Sequence, residues 1–282
     1  MTNDYGNLEL HTVLLSAMKD IDKICRENGL KYYLYAGTLL GALNHKGFIP
    51  WDDDVDIVMF ESDFLKFCHV IEQKYTSVYR MMTFDNTLNW YSKMSKLQVE
   101  GTSLIHMNNT ATPLFIDISI LHGVPDSRIA RYFQRKEIEY YNLALGVLSG
   151  EIIPSSWITK CSIALTAKKG KLKLGQRLDK ILSKYDDKCT EWVGIMCNTL
   201  TCNPYTGVSG YENDCTKREW HEHPIYLPFE DTEFMTISEP IRDLEHRYGP
   251  HWHEPYPEEK RITKHDVKSY EISEEVRKRV GL

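Results

Sequence analysis

The sequence predicts an α+β chain, with strands interleaved with helices over roughly the first 125 residues and a mostly helical part after them. Three observations carry this. Leu10, Val13, Leu14, Ala17, Ile21 and Ile24 recur at helical spacing between charged residues. Residues 54–60, DVDIVMF, alternate and then become wholly apolar, as a strand entering a core does. From Ser127 to about Tyr185 the pattern is helical, with interruptions at Pro154 and near Gly170.

The elements follow in order. Residues 8–27 form the first helix, and Asn28-Gly29 stops it. Leu30 to Ala36, rich in tyrosine, reads as a strand. Gly37-Thr38 opens a short helix, and Lys46 to Trp51 is a loop holding Gly47 and Pro50. After the strand 54–60, Ser62 is placed to cap a helix that aligns Phe64, Phe67, Cys68 and Ile71. Residues 78–83, 90–99 and 114–121 read as further strands. A mixed tract follows Tyr185, then a Pro- and His-rich stretch over 220–257 and a charged tail. A boundary is expected near Pro125.

Composition excludes several classes. A net charge of -6 argues against a general nucleic-acid binder. The charge is uneven, however: Arg128 to Lys184 holds 12 Lys/Arg against 4 Asp/Glu, 12 − 4 = +8. Such a face suits phosphates or the inner leaflet of a membrane, the bland alternative being a solvated helical surface. No run approaches the ~18 apolar residues of a spanning helix. With no secretory signal at the start, the seven scattered cysteines are expected to be reduced cytoplasmic thiols. Cys189, Cys197, Cys202 and Cys215 lack a CxxC pair, and the histidines His221, His223, His246, His251 and His253 lack ordered ligand spacing. Both groups read as something other than a zinc site, the histidines as surface.

The chemistry concentrates in FIPWDDDVDIVM (48–59), where Asp52, Asp53, Asp54 and Asp56 crowd within five positions. On a strand, Asp54 and Asp56 share one face. Two adjacent carboxylates are unfavourable alone and become favourable around a divalent cation, with hard oxygen ligands suiting Mg²⁺. A calcium loop is excluded because Ile57 stands where its glycine should be and Asp63 where its glutamate should be. Asp52 and Asp53 read as helpers or surface charges. Gly37-Thr38, at a strand end before a helix, is placed to meet phosphate. Asp117, alone among Phe115, Ile116, Ile118 and Ile120, needs a partner: either a buried Lys or Arg, or the Asp54–Asp56 pair if the strands are neighbours. Lys93 and Lys96 can neutralise a diphosphate, but spaced by three only one of them can face the site. Thr102, His45 and Lys46 are weaker candidates, each as readily a surface residue.

These segments resemble the LicD family. The likeness lies in Gly37-Thr38-Leu39-Leu40-Gly41, Ile49-Pro50-Trp51, and Asp52-Asp53-Asp54-Val55-Asp56. The strand around Ile116-Asp117-Ile118 is similar to a family segment in which Phe-Pro usually stands where this chain has Ser119-Ile120, and Tyr248-Gly249 resembles its closing segment. The likeness spans roughly residues 10–265. It implies a nucleotidyltransferase-like mixed sheet flanked by helices, with residues 1–125 as catalytic core and 126–282 as a mostly helical substrate-binding part packed on it. It also implies Gly37 and Thr38 at the phosphates, and Mg²⁺, as one ion or two, on Asp54, Asp56 and Asp117. The implied reaction moves phosphocholine, or a related alcohol phosphate, from a CDP-activated donor such as CDP-choline to a sugar hydroxyl of a cell-surface glycan or lipid-linked oligosaccharide. The expected place is the cytoplasm, with peripheral membrane contact through 128–184. The alternatives are transfer of NMP to an alcohol, and non-catalytic nucleotide binding.

Overall fold

The computed structural model describes residues 5–154, 156–197, 199–261 and 267–282. Helix α1 (Leu8–Asn28) forms where the apolar stripe places it. Leu10, Leu14, Ile21 and Ile24 are all buried, each such side chain contributing roughly 1.5–3 kcal/mol on full removal from water. Gly29 ends α1 with φ +62°, so that its own N–H and that of Leu30 reach the carbonyls of Arg26 and Cys25.

The central sheet has the order β1 (Tyr33–Leu34), β2 (Asp56–Phe60), β7 (Phe115–Val124), β4 (Ser95–Val99), β3 (Tyr79–Met82). β2 and β7 are parallel and the other neighbours antiparallel, so the sheet is mixed. A parallel pair needs a long crossover. Here it carries α3 (Glu61–Lys74), β3, β4, β5 (Thr102–His106) and β6 (Ala111–Thr112). Alternation sorts the two faces of the sheet. Ile57, Met59, Ile116 and Ile118 join the core formed with α1, while Val58 and Leu121 pack with Tyr33, Val193 and Ile195.

Helices α4 (Arg128–Ser149), α5 (Trp157–Ala167) and α6 (Lys171–Leu182) enclose a second core with Ile138, Leu145, Leu174, Leu178 and Phe84. Ser127 caps α4 by accepting the Ala130 N–H. After Leu182 the chain is mixed and returns to the sheets. β8 (Trp192–Gly194) pairs with β7, and β9 (Cys215–Lys217), which follows the short helix α7 (Gly210–Asn213), pairs with β8. β10 (Ile225–Phe229) and β11 (Thr232–Thr236) form a hairpin. After α8 (Pro240–Tyr248), β12 (Val267–Ile272) pairs with β5. The last helix, α9 (Glu274–Val280), is tied to α1 by a two-pronged Arg277–Glu9 pair of 2.9 and 2.8 Å. Segments from both sides of Pro125 thus share both the central and the β12–β5–β6 sheet.

Several elements differ from expectation. The strand over 30–36 is only Tyr33–Leu34, because Tyr35 serves as N-cap of α2 (Ala36–Asn44). The strand over 90–99 begins at Ser95; the Trp90 indole N–H donates to the Met94 carbonyl at 2.7 Å and holds 90–94 as a loop. Phe60, not Ser62, stands at the N-cap of α3. His221 is not a surface residue: it is buried against Tyr33 and Phe60, with Nδ1 3.1 Å from the Lys217 carbonyl.

Burial lowers the His221 ring to about 4 from the ordinary 6.5, backbone hydrogen bonding only partly opposing it. The folded protein therefore holds a neutral ring that the unfolded chain protonates below pH 6.5, and stability falls as pH drops from 6.5 toward 4. The loss amounts to roughly 3 kcal/mol. Urea melts of the protein and of His221→Gln between pH 7 and 4 check this. The variant is expected to lose less stability on acidification, and parallel curves would contradict the assignment.

Candidate metal and phosphate centre

Strand register assembles the centre. β2 and β7 pair with Asp56 opposite Asp117, and β7 and β4 pair with Asp117 opposite Lys96. Residues directly opposite one another share a face, so Asp56, Asp117 and Lys96 form one row across three strands. Asp54 lies just before β2, not within it. Its carboxylate still joins the group: Asp54, Asp56 and Asp117 each offer an oxygen within 4.8 Å of the others. Asp52, Asp53 and Asp54 form a second group on the same criterion. Asp52 and Asp53 are not surface charges, since both are buried. The Asp52 carbonyl accepts from Asn7 Nδ2 at 3.1 Å and His11 Nε2 at 2.7 Å, which ties the acidic segment to α1.

The Gly-Thr pair sits in the first turn of α2. The Thr38 hydroxyl accepts the Asp56 N–H at 2.8 Å, and the Tyr35 N–H donates to the Asp56 carbonyl at 3.1 Å. The start of α2 therefore fixes the start of β2. A Cβ at position 37 would lie 3.0 Å from Asp52 Oδ2, so glycine there admits the acidic segment close to the helix. At position 41 a Cβ would come within 2.5 Å of the Gly47 carbonyl oxygen, so the loop before Trp51 also depends on glycine.

The electrostatics favour a cation. The Asp56 carboxyl is held well above the usual carboxylate range, first by burial and then by Asp54, Asp117 and Asp52, with Lys96 opposing. Lys96 Nζ lies 2.7 Å from Asp117 Oδ1 and 3.3 Å from the centroid of the Phe115 ring. Asp117 thus has both partners that the sequence offered as alternatives, the lysine and the acidic pair. Among the described residues, three converging carboxylates with Lys96 beside them form an oxygen-rich set, which matches the donor chemistry of Mg²⁺.

Of the two lysines, Lys96 occupies the row. Lys93 precedes β4 and pairs with Asp179 at 2.6 Å. The Thr102 hydroxyl is engaged in β5, donating to the Val99 carbonyl and accepting the Leu114 N–H. Lys46 is exposed. His45 lines a cleft of about 800 Å³. Gly37 and Tyr248 border this cleft, and its walls include Trp51, Tyr205, Trp252 and Tyr256. Trp51 and Tyr256 stack with centroids 6.2 Å apart, and Arg261 Cζ lies 5.2 Å from the Trp51 centroid. Burial raises the Tyr248 phenol against the pull of Arg247, and Asp56 and Asp52 add to the rise, so the ring stands within electrostatic reach of the acids.

Sequence reasoning missed a buried ionic network behind the centre. Arg247 bonds Asp243 at 2.8 Å and Asp214 at 3.0 Å, and its Nη1 donates to the Tyr35 hydroxyl at 2.5 Å. That hydroxyl donates in turn to Asp214 at 2.7 Å. Tyr35 is the N-cap residue of α2, so α8 reaches the Gly-Thr turn through this network. The only pointer in the sequence was the adjacent Tyr248-Gly249 segment.

A sequence model described as "LicD/FKTN/FKRP, nucleotidyltransferase domain" matches residues 29–138, which contain α2, β2, β4 and β7. The chain carries a LicD-family domain. The chain is 27% identical over 270 residues, 93% of its length, to the lipopolysaccharide cholinephosphotransferase LicD of Haemophilus influenzae, and the match covers 97% of that protein. Uncharacterized proteins of Rickettsia typhi and Rickettsia prowazekii match over 60 residues at 42% and 40% identity, covering 21% of this chain and 19% and 23% of theirs. The LicD-family domain thus contains Asp54, Asp56, Asp117 and Lys96, while Tyr248 and Arg247 come from beyond it.

Lys96→Met removes the one basic side chain in the row and leaves Asp117 buried without it. Breaking such a pair costs about 3–5 kcal/mol. Urea unfolding is expected to show a loss of that order, and a variant within 0.5 kcal/mol of the parent, the ordinary scatter of surface substitutions at roughly that size, would show that the pair matters little.

Proposed function

We propose that the chain is a Mg²⁺-dependent transferase that moves phosphocholine from CDP-choline to a sugar hydroxyl of a cell-surface glycan. The observation that carries this is the convergence of Asp54, Asp56 and Asp117 in a chain similar along nearly its whole length to a cholinephosphotransferase. The three carboxylates are the residues that would hold Mg²⁺. When bound, the ion supplies charge neutralisation at the donor diphosphate.

The rest falls to the chain. Lys96 adds positive charge beside the leaving phosphate. Gly37 gives the donor close access to the backbone at the start of α2, where N–H groups favour anions. The rings of the adjacent cleft take the trimethylammonium group, which cannot donate a hydrogen bond and is attracted by aromatic faces. The acceptor oxygen forms its bond to the phosphorus bearing choline, the bond from that phosphorus to CMP breaks, and CMP leaves. A carboxylate of the cluster accepts the hydroxyl proton. The protein's task is positioning and charge balance, not covalent chemistry.

Asp56→Asn keeps the shape of the side chain and removes its charge. It is expected to fold normally and to lower CMP release from CDP-choline by on the order of 10²-fold or more. Chromatography of products, with Mg²⁺ and a lipid-linked glycan acceptor, reads this directly. Phosphocholine released in place of CMP, with CMP joined to the acceptor, would instead mark nucleotidyl transfer, and full activity in the variant would overturn the carboxylate assignment. CDP-ethanolamine, which carries a hydrogen-bonding ammonium, is expected to be a poorer donor than CDP-choline by about tenfold in kcat/KM, on the order of 1.4 kcal/mol of discrimination.

A further inference from the structure

The face of α5 turned away from the protein is built unlike an ordinary helix surface. Helices on a soluble surface place polar residues outward. Among the described side chains of α5, Ile163 and Ala167 are buried, and the Thr166 and Tyr140 hydroxyls share a 2.6 Å hydrogen bond that joins α5 to α4. Among the described side chains, Trp157, Cys161, Ala164 and Leu165, spaced i, i+4, i+7, i+8, are exposed and lie on one face, with exposed Ser162 at its margin. Trp157 is 74% and Leu165 66% exposed. Leu172, in the first turn of α6, is 67% exposed. A contiguous apolar patch of this kind marks an interaction surface.

Charge identifies the partner. The apolar face ends in Lys168 and Lys169, and Lys173, Arg177 and Lys180 follow on α6, all of them exposed. The segment 128–184 carries the excess of 12 − 4 = +8 within a chain whose total is -6. An apolar stripe with a tryptophan at one end and lysines at the other is the composition of a helix lying in the headgroup region of an anionic bilayer. Among the described residues no helix is long and apolar enough to cross a membrane, so the contact is peripheral.

We propose that the outward face of α5, with the lysines after it, docks the protein on an anionic phospholipid surface. The inference stands on α5 and α6 and does not depend on the reaction assigned to the aspartate centre. Docking there is independent of Asp54, Asp56 and Asp117, and it would bring the molecule to surfaces where lipid-linked acceptors reside.

Flotation with vesicles tests it. The full chain is mixed with phosphatidylcholine vesicles, or with vesicles holding about one third phosphatidylglycerol, at low and high salt. Binding is expected to the anionic vesicles only and to weaken with salt. Lys168→Glu/Lys169→Glu/Lys173→Glu is expected to weaken partitioning at least on the order of 100-fold, about fivefold for each lysine lost. Trp157→Ser/Leu165→Ser is expected to weaken it at least tenfold. Both variants alter exposed side chains, and unchanged melting temperatures would confirm that they fold. Three results would overturn the proposal: no binding to anionic vesicles at low salt, equal binding by the Trp157→Ser/Leu165→Ser variant, or a dimer in size-exclusion chromatography that the same variant dissociates.

Discussion

The parallel pairing of β2 with β7, in the register that sets Asp56 opposite Asp117, is the constraint on which the rest depends. A slip of one residue would turn every side chain of one strand to the other face. It would bury the carboxylate of Asp56 among Ile57's present neighbours and expose apolar groups. The register is held because Ile57, Met59, Ile116 and Ile118 must face the core built with α1. Hydrophobic burial on one face of the sheet thereby supplies the force that gathers like charges on the other.

The gathered charge shapes its surroundings. Lys96 stands across from Asp117 on β4 and balances part of it. Behind the turn that delivers Gly37 and Thr38, Arg247 is shared among Asp214, Asp243 and the Tyr35 hydroxyl. A buried guanidinium with several charge-assisted bonds is rigid more than it is stabilising. Its effect is to fix Tyr35, hence the start of α2, hence the Thr38 hydroxyl that receives the Asp56 N–H. The acids and the Gly-Thr turn are therefore positioned by one connected set of bonds and not by independent loops.

The helical part is organised differently. Its core is separate, with Phe84 from the loop after β3 inserted into it, and Lys171 donates to the Phe84 and Thr87 carbonyls. This fastens α6 to the sheet edge while leaving the outer side of α5 uncovered. The two properties coexist because, among the described side chains of α5, the buried ones are Ile163 and Ala167.

By itself the sequence determined the α+β class, the span of α1, the α4–α6 tract and the three acids, because these are written in local periodicity and in the cost of isolated buried charge. It also carried the LicD-family likeness in contiguous residues. It placed Lys93 and Lys96 on equal footing, put His221 on the surface and read Asp52 and Asp53 as helpers or surface charges. Only the tertiary structure decided these points. Which lysine faces Asp117 depends on where β4 begins, and that is set by the Trp90 to Met94 hydrogen bond. The burial of Asp52 depends on α1 donating side-chain bonds from 41 and 45 residues away. Tyr35, Asp214 and Arg247 meet from three distant segments. No local pattern encodes such meetings, because the free energy that makes them exists only once the sheet has closed.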